Sequence, residues 1–272
     1  MADDREILRE LWEGRIPVRF SLPLEEVDSG EEPESIYLML PRLSYFPLVT
    51  DRVNKHFSKY VNQEEATEMW LAYSEQPLKW HYPIGVLYDL YGDKDSTPWN
   101  ITVHFQDFPE DEILHCPSKE AVESQFMSMV KEADSLKHRA QIINNMQKRD
   151  HKQLWTALLH DRYDQFWSVN KKLMESSGDD MFKYIPFRIY QIDIPNIQKI
   201  FKPCNTEGEE QNLGELLHEC VPHLWEEDKF TKRVVTHGIE MTLNTPVLWL
   251  SQNFSYPDNF LHICLLDKTD TG

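Results

Sequence analysis

The sequence predicts an α+β protein in which two small mixed rolls flank a helix-rich segment, behind a short N-terminal helix. Residues 16–108 and 184–268 are rich in β-branched and aromatic residues, which favours strands. Residues 116–176 instead contain one proline and long helical apolar stripes. The two outer zones share landmarks in the same order, which indicates an internal duplication. We therefore expect an N-terminal amphipathic helix, a first roll, a helix-rich domain and a second roll, at residues 1–14, 15–108, 116–178 and 184–268.

The N-terminal helix is predicted from apolar residues that share one helical face. Ile7, Leu8, Leu11 and Trp12 follow the spacing of an amphipathic helix. The acidic residues around them would be repelled by anionic lipid, so we expect this helix to dock on its own protein rather than on a membrane.

The first roll begins with a strand, IPVRF at residues 16–20, whose proline lies near the strand start where a missing N–H is tolerated. A second strand is predicted at residues 35–40. A helix is predicted at residues 50–61, where apolar side chains recur every four residues and Thr50 or Asp51 can cap the first turn.

The middle zone predicts two long helices with a break at residues 147–152. The first apolar stripe extends from Val122 to Ile143 and the second from Trp155 to Leu173, and Gly178 ends the zone. Lys131 falls off the first stripe, so its side chain should face outward, beside Asp134.

The second roll repeats the first. IPFRI at residues 185–189 follows IPVRF at an offset of 169 residues, and Pro246 follows Pro77 at the same offset. Later, Pro98 corresponds to Pro257 with ten residues lost between. A helix is predicted at residues 213–220. Each unit is then an α+β roll of under 100 residues.

Composition excludes several classes of function. The 28 basic and 46 acidic residues give a net charge of −18, which argues against a nucleic-acid binder. The four cysteines form no C-x-x-C pair, and no P-loop, H-E-x-x-H or G-x-S-x-G motif occurs. We therefore expect no catalytic residues, no metal and no cofactor.

The charged N-terminus is no secretory signal and the longest apolar run, near residues 84–90, is too short to span a bilayer, so we expect a cytoplasmic protein with free thiols.

Residue chemistry alone leaves several functional hypotheses open. His115 precedes Cys116, so a cysteine-dependent enzyme is one alternative. Residues 131–172 contain nine basic and five acidic residues, a basic island that favours an anionic membrane surface or an acidic partner. An exposed Lys131 fits either a solubilising surface residue, which spacing alone favours, or an isopeptide acceptor. Aromatic Tyr82 fits the core or an interface about equally well.

Five longer motifs resemble the autophagy protein 5 family. They are PLKWHYPIG, PWNITVHF, HCPSK, YIPFRIY and LSQNFSYPDNFLH, at residues 77–85, 98–105, 115–119, 184–190 and 250–262. The resemblance extends over nearly the whole chain. It implies two ubiquitin-like β-grasp domains flanking a central helix-rich domain.

The resemblance also implies a function, that of a non-catalytic autophagy scaffold. Residues 127–134, MSMVKEAD, correspond to the family's acceptor motif, so Lys131 would carry the ubiquitin-like autophagy protein 12 through an isopeptide bond made by separate activating and E2-like conjugating enzymes. The N-terminal helix of autophagy protein 16 would bind non-covalently in a groove between the ubiquitin-like units. Candidates for that groove are Tyr82, Gly85 for close backbone approach and Asp89 for charge.

The assembly would act as an E3-like factor. It would promote the lipidation of a second ubiquitin-like protein with phosphatidylethanolamine during autophagosome formation. We therefore expect a cytoplasmic chain that is recruited peripherally to the phagophore, with transient contact to its anionic membrane surface.

Overall fold

The computed structural model describes residues 3–28, 30, 33–93, 96–174 and 182–268, with side chains from residue 6 onward. The chain forms two compact units: Glu13–Ser124, and Met1–Trp12 together with Gln125–Gly272. The N-terminal helix α1 covers Asp3–Glu13. Gly178, the expected end of the helical zone, lies outside the described residues.

The unit Glu13–Ser124 contains a five-stranded mixed sheet. The strands are β1 (Arg15–Ser21), β2 (Ile36–Pro41), β3 (Trp70–Tyr73), β4 (Gln76–Pro77) and β5 (Trp99–His104). Their order in the sheet is β2-β1-β5-β3-β4. The central strands β1 and β5 are parallel, and the remaining pairs are antiparallel. Alternate residues of β1 are buried, as expected for a strand with one face on the core.

Three helices cover one face of this sheet: α2 (Phe46–Val49), α3 (Asp51–Phe57) and α4 (Ile84–Tyr91). The helix predicted at residues 50–61 is therefore shorter than expected. Thr50 occupies the N-cap position of α3, but its hydroxyl donates backwards to the Phe46 carbonyl at 2.7 Å instead of capping α3. Val53 and Phe57 are fully buried in the core, as their spacing predicts.

Within its described residues, up to residue 174, the helical zone contains four helices where the sequence predicts two. They are α5 (Lys119–His138), α6 (Gln141–Asn145), α7 (Lys148–Leu159) and α8 (Tyr163–Met174). Arg139 and Ala140 end α5 in the left-handed region, with φ of 55° and 61°, and Asp161 separates α7 from α8 with φ of 54°. Non-glycine residues seldom adopt this conformation, so the sequence carries no signal for these breaks.

The second roll repeats the topology of the first. Its strands are β6 (Phe187–Gln191), β7 (Ile194–Ile197), β8 (Trp225–Glu226), β9 (Lys229–Phe230), β10 (Lys232–Thr236), β11 (Ile239–Glu240) and β12 (Leu261–Asp267). The sheet has the order β11-β10-β12-β6-β7, again with a central parallel pair, β6 and β12. A separate hairpin joins β8 to β9. This is the predicted α+β fold class with two rolls and a helical region.

Two helices accompany the second sheet, α9 (Leu213–Cys220) and α10 (Val247–Asn253). The bounds of α9 match the prediction. Asn212 and Glu215 form a capping box in which each side chain accepts a hydrogen bond from the other's backbone N–H, at 3.0 and 2.7 Å.

Registers show which landmarks of the duplication are equivalent. Val18 pairs with Trp99 in the first sheet, and Phe187 pairs with Leu261 in the second, so the first offset of 169 is confirmed. The Pro77 match is wrong, because Pro246 is the N-cap of α10 and its equivalent is Pro83, the N-cap of α4. The match of Pro98 with Pro257 is wrong as well. Trp99, the residue after Pro98, is equivalent to Leu261, which lies four residues after Pro257.

The N-terminal helix docks on its own unit. The Trp12 ring lies 5.0 Å from the Phe166 ring and 5.9 Å from the Tyr163 ring, measured between centroids. Ile7 and Leu11 pack against the core of the second roll. The apolar face predicted for this helix is therefore occupied by its own protein.

Candidate functional site

Helix α5 presents one face to the protein and the other to solvent. Phe126, Met129, Val130 and Ala133 are buried. Phe126 lies 6.1 Å from the Trp155 ring, and Met129 and Ala133 pack against Phe260. Packing on two sides fixes the helix, because burial of such side chains contributes about 1.5–3 kcal/mol each.

Lys131 lies on the solvent face of α5 and is exposed, as its spacing predicts. No described residue lies within hydrogen-bond or ion-pair distance of its Nζ atom. The neighbouring Glu132 is engaged instead, since its carboxylate accepts from Gln198 Nε2 at 2.5 Å and lies 3.7 Å from Arg188 Nη2. An amine that is exposed and unpaired on a packed helix can be reached by another protein.

Asp134 does not accompany Lys131 at the surface, so that expectation is wrong. Its side chain is buried, where it bonds to His138 Nδ1 and accepts from the Ile143 backbone N–H, each at 2.9 Å. The second bond satisfies an N–H at the start of α6, across the left-handed turn at Arg139 and Ala140. The carboxylate therefore holds the turn that ends α5.

Lys137 is a buried residue that the sequence analysis missed. Its Nζ atom lies 2.9 Å from Met174 Sδ and 4.8 Å from the centre of the Phe182 ring. Burial lowers the pKa of Lys137 to about 7, against the opposing effect of Asp134 and Asp258. The signal was present, because Lys137 follows the buried Ala133 by four residues and so falls on the apolar stripe.

Asp89 is buried and is not a surface charge in this structure, so its place in the partner groove stays a prediction. It is 3 % exposed and forms an ion pair with Arg42, which also donates to the Gly85 carbonyl at 3.4 Å. The Gly85 N–H in turn donates to the Arg42 carbonyl at 2.7 Å. A buried carboxylate requires such a partner. Gly85 and Asp89 therefore attach α4 to the Arg42 segment.

Tyr82 is half-buried and lies in the turn before α4. Its ring is 4.7 Å from the His81 ring and 6.0 Å from Lys79 Nζ, and part of it packs on the core. Of the three groove candidates, only Tyr82 keeps an exposed portion.

Cys116 lacks the surroundings of a nucleophile. Burial, followed by the nearby Glu68 carboxylate, raises the pKa of its thiol to about 11, so the thiolate is scarce at neutral pH. The His115 imidazole does not bond to the thiol; it bonds to Glu68 at 2.9 Å and stacks on Phe108. The thiol is near the Ser118 carbonyl, with 3.6 Å between Sγ and oxygen.

The described residues contain neither a candidate metal cluster nor a helix that could span a membrane. Over that part of the chain, no group of three or more His, Cys, Asp and Glu side chains is arranged to hold a metal ion. None of the helices within it combines the length and the hydropathy needed to cross a bilayer.

Comparison with known proteins accounts for this arrangement. Three family models of autophagy protein ATG5 match the chain: the UblA domain at residues 11–105, the alpha-helical bundle region at 119–176 and the UblB domain at 184–265. Together these cover most of the chain. The chain belongs to the autophagy protein 5 family. It therefore has a role in autophagy.

The similarity to known relatives extends over nearly the whole chain. Autophagy protein 5 of Drosophila melanogaster is 47 % identical, with 97 % of each chain covered. Autophagy-related protein 5 of Caenorhabditis elegans is 33 % identical, over 97 % of this chain and 98 % of its own. The crystal structure of Kluyveromyces marxianus Atg5 matches with a TM-score of 0.81 at 20 % identity, covering 96 % of this chain and 99 % of the other. The fold is thus two ubiquitin-like domains and a helical bundle region.

Proposed function

We propose that this chain is a non-catalytic scaffold of autophagosome formation whose Lys131 accepts the ubiquitin-like autophagy protein 12. In this proposal E2-like enzymes make the isopeptide bond, and autophagy protein 16 binds through its N-terminal helix. The complex acts E3-like in the lipidation of a second ubiquitin-like protein with phosphatidylethanolamine. It works in the cytoplasm and at the phagophore membrane.

The observation that carries the proposal is the environment of Lys131. An acceptor amine has to reach an enzyme-bound thioester, so it needs exposure and freedom from ion pairs. Lys131 has both, on a helix fixed by Phe126, Met129 and Ala133. Lys137, on the same helix, is buried, and its Nζ atom lies against Met174 Sδ.

Conjugation of a Lys131→Arg variant tests the proposal. In a reconstituted reaction with the activating and conjugating enzymes, we expect the higher-mass adduct on a denaturing gel to disappear, because arginine keeps the charge but offers no amine of suitable reactivity. Lys148→Arg, at the exposed start of α7, is the matched control and should conjugate normally. An adduct that persists in the Lys131→Arg variant would place the acceptor elsewhere.

Tyr82 is the proposed contact with the helical partner. A Tyr82→Ala variant should bind the N-terminal helix of autophagy protein 16 about tenfold more weakly in calorimetry, because an aromatic anchor is lost. Conjugation at Lys131 should be retained. Unchanged affinity would remove Tyr82 from the interface.

Membrane tethering is a second candidate, favoured by the exposed basic side chains of the helical zone. Lys148, Arg149 and Lys152 are all exposed. Flotation of the unmodified chain with anionic vesicles, lost at high salt, would support it. If the chain does not float with the vesicles in the absence of its partners, membrane tethering is excluded and only the scaffold proposal stands. The cysteine-dependent alternative predicts that Cys116→Ser abolishes activity in reconstituted lipidation; full activity would exclude it.

A further inference from the structure

The four edges of the two sheets differ in how they are protected. Edge strands normally carry charges or prolines, or are very short, because their unpaired N–H and C=O groups attract other strands. Strands β4 and β11 are two residues long, and β7 is four residues long and contains Pro195. Strand β2 has six residues, IYLMLP, with no charge and with proline only at its end.

Strand β2 also exposes large apolar side chains. Tyr37 is 64 % exposed and Met39 is 61 % exposed. They point away from the core, opposite Arg19 and Pro17 of β1, whereas Ile36 and Leu40 are buried beneath the sheet. Among the described residues, no strand lies beyond β2. An added strand would therefore find both a free edge and an apolar outer surface.

A basic concavity lies beside this edge, on the side of α3. It encloses about 340 Å³ and is lined by Ile36 and Tyr37 of β2, by Glu34 and Ser35, and by four basic side chains: Arg52, Lys55, His56 and Lys59. Within the described ranges, Arg52, Lys55 and Lys59 have no carboxylate partner. The acidic Asp51 is engaged with Lys119, and His56 Nε2 lies 3.0 Å from the Glu34 carbonyl.

We propose that the β2 edge accepts an extended acidic segment of a partner protein as a sixth strand. Side chains of an added strand alternate between the two faces. Those on the α3 side would meet Arg52, Lys55 and Lys59 and should be acidic; those on the other side would lie against Tyr37 and Met39 and should be apolar. Main-chain bonds supply affinity in this mode, and the alternating side chains supply specificity.

Charge complementarity selects this occupant. The chain carries a net charge of −18, so an acidic segment is repelled by most of its surface. A site with three exposed, unpaired cations therefore directs such a segment to one edge. A basic segment would be attracted elsewhere and would be opposed at this site.

The test measures fluorescence anisotropy of a labelled peptide that alternates Glu and Val, added to the full chain. We expect saturable binding, and about tenfold weaker binding to the Lys55→Glu/Lys59→Glu variant. The matched control, Lys202→Glu/Lys229→Glu, makes the same charge change at exposed lysines of the other unit and should bind within about twofold of the wild type. A Lys–Val peptide should not bind.

Backbone methylation tests the strand pairing on the unaltered protein. One peptide carries N-methyl groups on odd residues and another on even residues, so only one blocks the N–H groups that face β2. We expect that one to lose binding and the other to keep it. Equal binding of both, or no saturable binding of the parent peptide, would overturn the proposal.

Two other occupants have their own signatures, and each would also overturn the proposal. If vesicles of phosphatidylcholine and phosphatidylserine bind through Lys55 and Lys59 while the peptide does not, the concavity is a membrane contact. If sedimentation shows a dimer that a Met39→Lys substitution dissociates and the peptide does not, the β2 edge pairs with a second copy.

Discussion

Two lysines of helix α5 lie six residues apart and have opposite environments. At about 100° per residue they point roughly 120° apart around the helix axis. Lys131 is exposed and has no described partner, whereas Lys137 is 2 % exposed and lies against Met174 and Phe182. The same side chain is thus an exposed surface amine at one position and part of the core at the other.

The difference shows how the buried end of α5 supports the exposed part. The carbonyls of Leu136 and Lys137 accept hydrogen bonds from the backbone N–H groups of Tyr184 and Lys183, at 3.2 and 2.9 Å. Asp258, which precedes β12, acts on Lys137 electrostatically. These contacts join the end of α5 to the second roll, so Lys131 is presented from a fixed base. The two lysines should therefore make separable contributions, Lys131 to the proposed conjugation and Lys137 to stability.

Amine acylation should give the largest contrast. With a small activated ester under native conditions, we expect Lys131 to be labelled at least about 100-fold faster than Lys137, because Lys137 reacts only when the region opens. Peptide mass spectrometry after proteolysis measures both sites in one sample. Labelling in denaturant should make the rates similar. Equal rates under native conditions would show that Lys137 is accessible and that the comparison fails.

Alanine substitution should separate the two in stability. Lys137→Ala leaves a cavity beside Met174 and should lower the free energy of unfolding by about 2–4 kcal/mol. Lys131→Ala should change it by less than about 0.5 kcal/mol, as is usual for exposed sites. Urea denaturation followed by tryptophan fluorescence measures both. A cost at Lys131 as large as that at Lys137 would contradict the assigned environments.

Much of the fold could be predicted because its signals are local. The α9 helix carries its capping box and apolar face within nine residues, Asn212–Cys220, and its bounds were correct. The breaks at Arg139 and Ala140 could not be predicted, because these residue types do not favour the left-handed region. Aspartate enters that region more readily, but it also occurs within helices, so Asp161 alone did not mark a break. The prolines gave a wrong alignment of the two rolls, because Pro77 ends strand β4 whereas Pro246 is the N-cap of helix α10.

The candidate site divides in the same way. Exposure of Lys131 followed from helical periodicity, which is a local property. The Asp89 side chain points inward because it pairs with Arg42, which is 47 residues away in sequence. No pattern in the sequence around Asp89 indicates that partner. Lys137 differs, because it follows the buried Ala133 by four residues and so has a local signal, although its contacts with Met174 and Phe182 are long-range. Local spacing therefore indicates which face a charged residue lies on, and long-range partners stabilise it there.

The smallest effect expected is the contribution of Lys137 to the pH dependence of stability. In the unfolded chain a lysine has its usual pKa, near 10.5, while burial lowers the pKa of Lys137 to about 7 in the folded protein. Between these values the unfolded state binds more protons, so stability rises with pH; below pH 7 both states are protonated and this contribution is flat. From pH 7 to 8.5 the free energy of unfolding should rise by about 1–2 kcal/mol.

Urea titrations of the wild type and of Lys137→Met, which keeps the volume but cannot titrate, isolate the effect as the difference between the two slopes. Identical slopes would mean that Lys137 remains protonated in the folded protein across this range, held so by Asp134 and Asp258.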